Sequence, residues 1–512
     1  MSVFFFSPWG RWASRPHHLF TVVVGIALAL IAVGMGSLIG YLPLIYSLGA
    51  ATALILTTAA LLEPASGLGL AIILGPTKSF LAIAYPGWPL DLGQLFFGLA
   101  AAGWLGRQLA LRNLNVPRSS LWLPLGLYLA ANCCSLLPAT DLNEAAKEIL
   151  KWSEIALGAL LVAAEARRGK KQMRLIIAAI LLSGMVQAGI GLWQYGWRGE
   201  GPEHFRILGD HYRAYGSFEQ PNPYSGFLGL IWPLALGLAW GGIIPWLSGE
   251  SQRQKGTRFL QRLSHIWGLV LIAGLCLTAL YVSFSRGAWL GAAAALAAIL
   301  FALPRRRLTG LLLLAATLAG GGVLVNSGYL PANIAARLQP DQLASLTTLA
   351  DARGANINEE NFSTLERAAH WQAALAMSRS SPWLGVGVGN YAVVYARFAL
   401  INWPQALGHA HMLYLNILAE SGLLGLVTYL LLWGVVIGLT IRLLPGNTNT
   451  YRGLLIGLSG CWAHLSIHHL VDNLYVNNVH LLIAIQLGLL IVIEQHSSDI
   501  PPNDIFPTLP PP

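Results

Sequence analysis

Gly408 to Leu426 reads GHAHMLYLNILAESGLLGL. His409 and His411 stand just before a run in which Tyr414, Leu415 and Leu418 recur at helical spacing, so a water-facing segment passes straight into an apolar helix. That junction decides the fold, because a helix of this kind begins at a membrane surface and continues into lipid or into a bundle. It also places a titratable imidazole at the bilayer surface, where it can exchange a proton near neutral pH with a substrate held in the membrane. A histidine that only anchors the end of a helix at the interface gives the same local pattern.

Outward from this stretch, apolar runs broken by short polar segments recur along all 512 residues. With 55% of residues apolar, 10% charged and a mean hydropathy of +0.58, most of the chain must span a bilayer rather than build a water-soluble core. Runs of about 17 to 25 residues argue for helices, and the roughly ten-residue alternating strands of an outer-membrane barrel are absent. The expected fold is all-α, a polytopic bundle of about 12–14 transmembrane helices, with spans recurring from residue 19 to residue 494. Residues 1–496 then form the transmembrane domain, external segments at 196–222 and 328–410 are inserted in it, and the proline-rich 497–512 is a disordered cytoplasmic tail.

With a cytoplasmic N-terminus, Arg11, Arg15, Arg107, Arg112, Arg118, Arg442, Arg452 and the basic clusters at 167–174, 253–262 and 305–307 share one side. Most of the 31 Lys and Arg therefore obey the positive-inside rule, both termini are expected in the cytoplasm, and the net charge of +9 reflects topology rather than a nucleic-acid partner. Cys133, Cys134, Cys276 and Cys461 all fall in apolar spans, which argues against disulfides and CxxC metal sites. The first span near 19–38 follows Arg11 and Arg15 without a small-residue cleavage site and is expected to be retained.

Polar residues mark four further places. Lys147, Glu148, Lys151 and Glu154 lie at spacings of three and four in one span, as ion pairs along a helix face do. RAYGSFEQPNPYSGFLGL runs from Arg213 through Asn222 into the next span, and SFSRGAWLG sets Arg286 in a turn at the interface. An arginine costs up to about 2.5–3.5 kcal/mol at mid-bilayer depth, so Arg286 needs an anionic partner or a route to water. From about Asn326 to Gly408 the chain is polar, with an amphipathic helix expected over Leu365–Ser378 and then GVGVGNY. No strand precedes those glycines, so they are not a nucleotide loop; Gly385, Gly387 and Gly389 instead let the backbone lie flat on the membrane domain. Finally, His464, His468 and Asp472 share a helix face at metal-capable spacing, which hydrogen-bonded residues inside a bundle also explain.

Under this topology Arg213, Arg286 and His411 converge on the external face although far apart in sequence. Two guanidiniums can grip a pyrophosphate and offset the charge it gains on leaving, and a histidine opposite can take the proton of an attacking hydroxyl. Spacing alone names no sugar. The alternative is a membrane transporter of an anionic solute, which would usually show paired repeats and broken helices meeting at mid-membrane.

The ordered set RAYGSFEQPNPYSGFLGL, SRG at 285–287, ERxxxW followed by PWLGVGVGNY, and HAHMLYLNILAESGLLGL resembles the bacterial O-antigen ligase and polymerase superfamily of membrane glycosyltransferases over roughly residues 200–475. The resemblance implies a GT-C-like enzyme of the bacterial inner membrane that works on the external face without a metal or other cofactor. Its implied partners are an undecaprenyl-pyrophosphate-linked glycan donor, a hydroxyl acceptor on a lipid, glycan or protein, and membrane lipids. Arg213 and Arg286 match arginines thought to hold the donor pyrophosphate, and His411 matches the histidine proposed to activate the acceptor. Met412 follows it where the family usually has Asn, and His409 is the alternative base. Arg367, Trp371, Tyr414 and Asp472 match recurrent positions that support the site, with Asn222 assigned to substrate binding beside them.

Overall fold

A computed structural model describes residues 43–498 apart from 113, 115, 208, 210, 248–256, 327–351, 354–356, 358–360 and 448. The first expected span, Arg11, Arg15, Arg253, Lys255, much of the long external segment and the proline-rich tail lie outside the described residues.

The chain is an all-α polytopic membrane bundle. Its first half holds α1 (Leu44–Leu62), α2 (Pro64–Leu74), α3 (Lys78–Ala84), α4 (Leu92–Leu111), α5 (Trp122–Cys134), α6 (Leu142–Arg168) and α7 (Lys170–Gly196). A short antiparallel ribbon follows, β1 (Arg206–Ile207) with β2 (His211–Tyr212), Arg206 opposite Tyr212. Then come α8 (Pro221–Gly229), α9 (Trp232–Leu247), α10 (Thr257–Tyr281), α11 (Arg286–Ala302) and α12 (Arg307–Asn326). The last part holds α13 (Phe362–Ser380), α14 (Tyr391–Val394), α15 (Leu413–Leu443), α16 (Asn449–His468) and α17 (Val479–Ser498).

Among the described residues, seven helical stretches are long and apolar enough to cross a membrane: 45–62, 64–84, 170–196, 221–243, 260–281, 413–443 and 479–498. The helices at 122–134, 286–302 and 307–323 are apolar but shorter. The expectation of about 12–14 spans was for the whole chain, and the first of them lies outside the described residues. Part of the difference lies in α6, where Glu144, Lys147, Glu148, Lys151 and Glu154 load one half of a 27-residue helix with charge.

Local sequence explains where helices start. Asp141 caps α6 by accepting the N–H groups of Asn143 and Glu144, Ser285 caps α11 through Ala288 N–H, and Pro221 occupies the first turn of α8. The core is built where α9 and α11 pack on α16 and where α6 packs on α17, around Leu458, Trp462, Leu482 and Ile485.

The two ends of the bundle differ in chemistry. At one end Glu165 binds Arg107 at 2.9 Å and also Arg168, while Arg452 donates to the carbonyls of Leu444, Ala302, Leu303 and Pro304. Ser119 and Ser120 close on Glu494 there, so the basic loops and the last turn of α17 share one face.

At the other end α15 is broken. Gly422 has φ 63° and ψ −163° inside the helix, which frees carbonyls that an intact helix would occupy. The freed groups are taken by the glycine-rich loop: Val386 N–H donates to Ala419 O at 2.9 Å and Gly387 N–H to Glu420 O at 3.0 Å. In return Leu423 N–H donates to Pro382 O and Leu424 N–H to Trp383 O. Gly385, Gly387 and Gly389 all take positive φ, and side chains there would collide with the Glu420, Ala139 and Glu144 backbones. The loop is thus spliced into the break rather than lying flat. α13 also runs longer than the expected Leu365–Ser378, with Ala368, Trp371, Ala373, Ala374 and Met377 buried on its inner side.

Candidate active site

Arg213 follows directly on β2 and is tied to the turn between α10 and α11. Its Nε donates to Ser283 O at 2.8 Å, its backbone N–H donates to Phe205 O, and Ala214 N–H reaches Val282 O. Arg286 is the first residue of α11, three positions beyond the carbonyl that Arg213 grips, so Arg213 is anchored to the turn that leads into Arg286. The next residue, Gly287, is where α11 meets the end of α16. A Cβ there would stand 2.5 Å from Val471 and 2.9 Å from His468, so only glycine permits the approach.

That contact leads to Asp472. Asp472 is buried one residue beyond Val471, with Oδ1 at 3.8 Å from His411 Nδ1 and 3.9 Å from His409 Nε2. His411 takes φ 51°, in the left-handed region that costs a non-glycine residue strain. The strained turn is held by its own neighbours: His411 N–H donates to His409 Nδ1 at 3.1 Å, and Ala410 N–H donates to Asn416 Oδ1 at 3.0 Å.

One hydrogen bond and the placing of Asp472 assign the tautomers. His409 Nδ1 accepts a backbone N–H, so the proton of its neutral ring sits on Nε2, facing Asp472. His411 turns Nδ1 toward the same carboxylate, which leaves its Nε2 as the lone-pair nitrogen, buried and without a hydrogen-bond partner. An imidazole with a carboxylate behind one nitrogen and a free lone pair on the other is arranged as a general base.

Burial alone pushes the Asp472 carboxyl up, but contact with His411 and the fields of His409, His411 and His468 outweigh it and hold the group well below the usual carboxylate range. Burial, with the neighbouring His411, pushes His409 down to about 4 despite Asp472. Burial and the two nearby imidazoles likewise push His370 down to about 4. Asp472 is therefore ionised and His409 and His370 neutral at pH 7.

α13 supplies the far wall. The His370 ring lies edge-on to His411 with centroids 5.7 Å apart, and its Nδ1 meets Tyr391 Oη at 3.0 Å. Glu366 lies within electrostatic reach of His411, and Arg367 within reach of His468. Tyr414 acts on the frame, its hydroxyl donating to Ser466 O of α16 at 2.9 Å. Trp371 is buried in α13 with its indole N–H unpartnered, and Asn222 sits half-buried in the first turn of α8; no described contact joins either to the histidines.

Residues 271–430 match the family model described as O-antigen ligase. That segment is similar to the O-antigen ligase family. No curated protein matches the chain. The ligase segment carries Arg286, Arg367, His409 and His411, whereas Arg213 and Asp472 lie outside it and reach it only through the fold.

His409, His411 and Asp472 each offer a ligand atom within 4.8 Å of the others, so these three could hold one cation. His464 and His468 instead face each other, Nε2 to Nδ1 at 3.3 Å, within the bundle. Sequence reasoning missed Glu366 and His370, although their spacing of four residues places them on one face of α13 beside Arg367. It also missed a cavity of about 510 Å³ beside His409, lined by Glu148, Lys151, Trp152, Asn416 and Glu420. Of the four charged residues expected to pair along α6, Lys151 binds Glu148, whereas Lys147 turns to Glu144 and Glu154 to His480 at 2.8 Å. A larger hollow of about 910 Å³ lies at the basic end among Arg118, Arg167 and Glu494, remote from this chemistry.

Proposed function

We propose that the protein is an inverting glycosyltransferase of the bacterial inner membrane, working on its external face. It moves a glycan from an undecaprenyl-pyrophosphate donor to a hydroxyl on a lipid, glycan or protein acceptor. His411 Nε2 takes the hydroxyl proton as the acceptor oxygen bonds to the anomeric carbon. The bond from that carbon to the pyrophosphate oxygen breaks on the opposite side, and its electron pair leaves with the pyrophosphate. Arg213 and Arg286 bind the leaving group and offset its growing charge. Asp472 keeps Nδ1–H of His411 oriented and steadies the imidazolium that forms.

The observation that carries this reading is the free, buried Nε2 of His411 beside an ionised carboxylate, with the start of α11 packed against Val471, the residue before that carboxylate. A carrier for an anionic solute would want the N–H groups of a broken helix, here those after Gly422, available to its cargo. Here those of α15 are already bound by the glycine-rich loop.

The test is incubation of the purified protein with a lipid-pyrophosphate glycan and candidate acceptors, followed by mass analysis of the products. Arg286→Lys should lower turnover by about 100-fold, because a point charge cannot copy the guanidinium fork. Turnover is expected to survive a chelator, since the arginines supply the charge that a divalent ion often provides. Unchanged transfer in the lysine variant would remove the pyrophosphate assignment, and loss of activity restored by added metal would reassign His409, His411 and Asp472 as ligands.

A further inference from the structure

The cavity beside His409 is poorly suited to a pyrophosphate. Lys147 is bound by Glu144 at 2.6 Å and Lys151 by Glu148 at 2.5 Å, and Glu420 adds a further carboxyl from the broken part of α15. Ammonium groups already neutralised by carboxylates leave little field for an anion. What remains is a dense mixture of hydrogen-bond donors and acceptors. The Glu148 and Lys151 side chains are about three-quarters covered, at 24% and 23% exposure, so their polar atoms are fixed rather than freely solvated. Asn416 spends its carbonyl oxygen on Ala410 N–H, which leaves its amide protons for the cavity. The Trp152 ring contributes an apolar wall. The volume of about 510 Å³ fits a small-molecule site rather than a groove for a protein.

We propose that this cavity binds an uncharged, hydroxyl-rich glycan. The inference rests on the glycosyl-transfer reading and adds to it a site that the arginines do not explain. Sugar hydroxyls both donate and accept, so they can satisfy carboxylates, ammonium groups and amides together, while their C–H faces cover an aromatic ring. His409 lines the cavity, and its ring centroid is 4.5 Å from that of His411, so a bound glycan ends one side chain from the base. The pyrophosphate and the glycan then approach the histidines from different sides, one by the Arg213–Arg286 turn and one past α6.

Photolabelling of the full-length protein in lipid nanodiscs tests this, with a diazirine derivative of maltotriose as the probe. Labels are expected on peptides covering 144–152 and 407–420, and a diazirine derivative of trigalacturonate should not label them. Replacing Glu148→Gln together with Lys151→Gln should reduce maltotriose labelling about tenfold, the effect of losing one or two hydrogen bonds to charged groups. Thermal unfolding and binding of dodecyl pyrophosphate should not change in that variant. Competition by dodecyl-pyrophosphoryl-N-acetylglucosamine would assign the glycan to the donor, and absence of competition would assign it to the acceptor; both agree with the proposal. Labelling no stronger than in SDS-denatured protein, or unaffected by the two substitutions, would overturn it while dodecyl pyrophosphate still bound. Failure of dodecyl pyrophosphate to bind the wild-type protein would count against the transfer reading instead, with cavity labelling judged separately.

Discussion

At the scale of single residues Asp472 matters most, because its carboxylate faces Nδ1 of His411 and leaves Nε2 free. Asp472→Asn keeps the shape but can donate toward Nδ1, which favours the wrong tautomer. Turnover should fall by about 100-fold or more, within the range expected for losing general-base catalysis, while binding of dodecyl pyrophosphate persists. Rate and binding assays on the same preparation would separate the two. A second residue-scale effect is acid sensitivity. His370 titrates near 4 in the fold against an ordinary 6.5, so below 6.5 the unfolded chain takes up the proton first. The contribution of His370 is complete above about 6.5 and is lost as pH falls toward 4. Thermal midpoints measured across that window should decline, and His370→Gln should flatten part of the decline. The arginines and the histidine pair stand out in the sequence as candidates because motif order and charge bias both point to one face. His370 and Glu366 do not, because their meaning depends on α13 docking against a turn forty residues later.

At the scale of elements the join between α15 and the glycine-rich loop carries the testable weight. Gly422 has a positive φ, and a Cβ there would lie 2.3 Å from the Trp383 carbonyl carbon. Gly422→Ala should cost about 1–3 kcal/mol and lower the thermal midpoint, with glycan transfer falling alongside because Leu413 to Glu420 shift with the break. A variant as stable as the parent would show that the join is not needed. Hydropathy indicated α15 as one continuous span. Nothing in an apolar run marks where a helix opens, since the partner that stabilises the gap lies thirty-odd residues upstream. Periodicity was a better guide to α13, where small residues on the inner face made its existence plain and only its ends uncertain.

At the scale of the whole molecule the two ends of the bundle should face different compartments. The basic end holds Arg107, Arg168, Arg305 and Arg452, and the opposite end holds the Arg213 turn and the histidines. With Cys133 and Cys134 replaced by serine, Gly199→Cys should react with an impermeant maleimide in intact spheroplasts. Arg306→Cys should react only after the membrane is opened. The reverse pattern would put the proposed chemistry in the cytoplasm and end the external-face reading. Charge bias is what suggests this orientation in the sequence, whereas the charge that α6 carries along the wall of a cavity over half its length has a meaning only the fold supplies.

The splice at Gly422 also constrains assembly. Residues 382–387 leave the ribosome before α15 does, yet their backbone groups can be paired only once α15 has reached its place. Insertion must therefore hand over an unfinished helix whose last hydrogen bonds are made afterwards, by a segment already synthesised. The centre can come together only after Asp472 has been made, so a nascent chain that stops short of it would carry the motif without a working pocket.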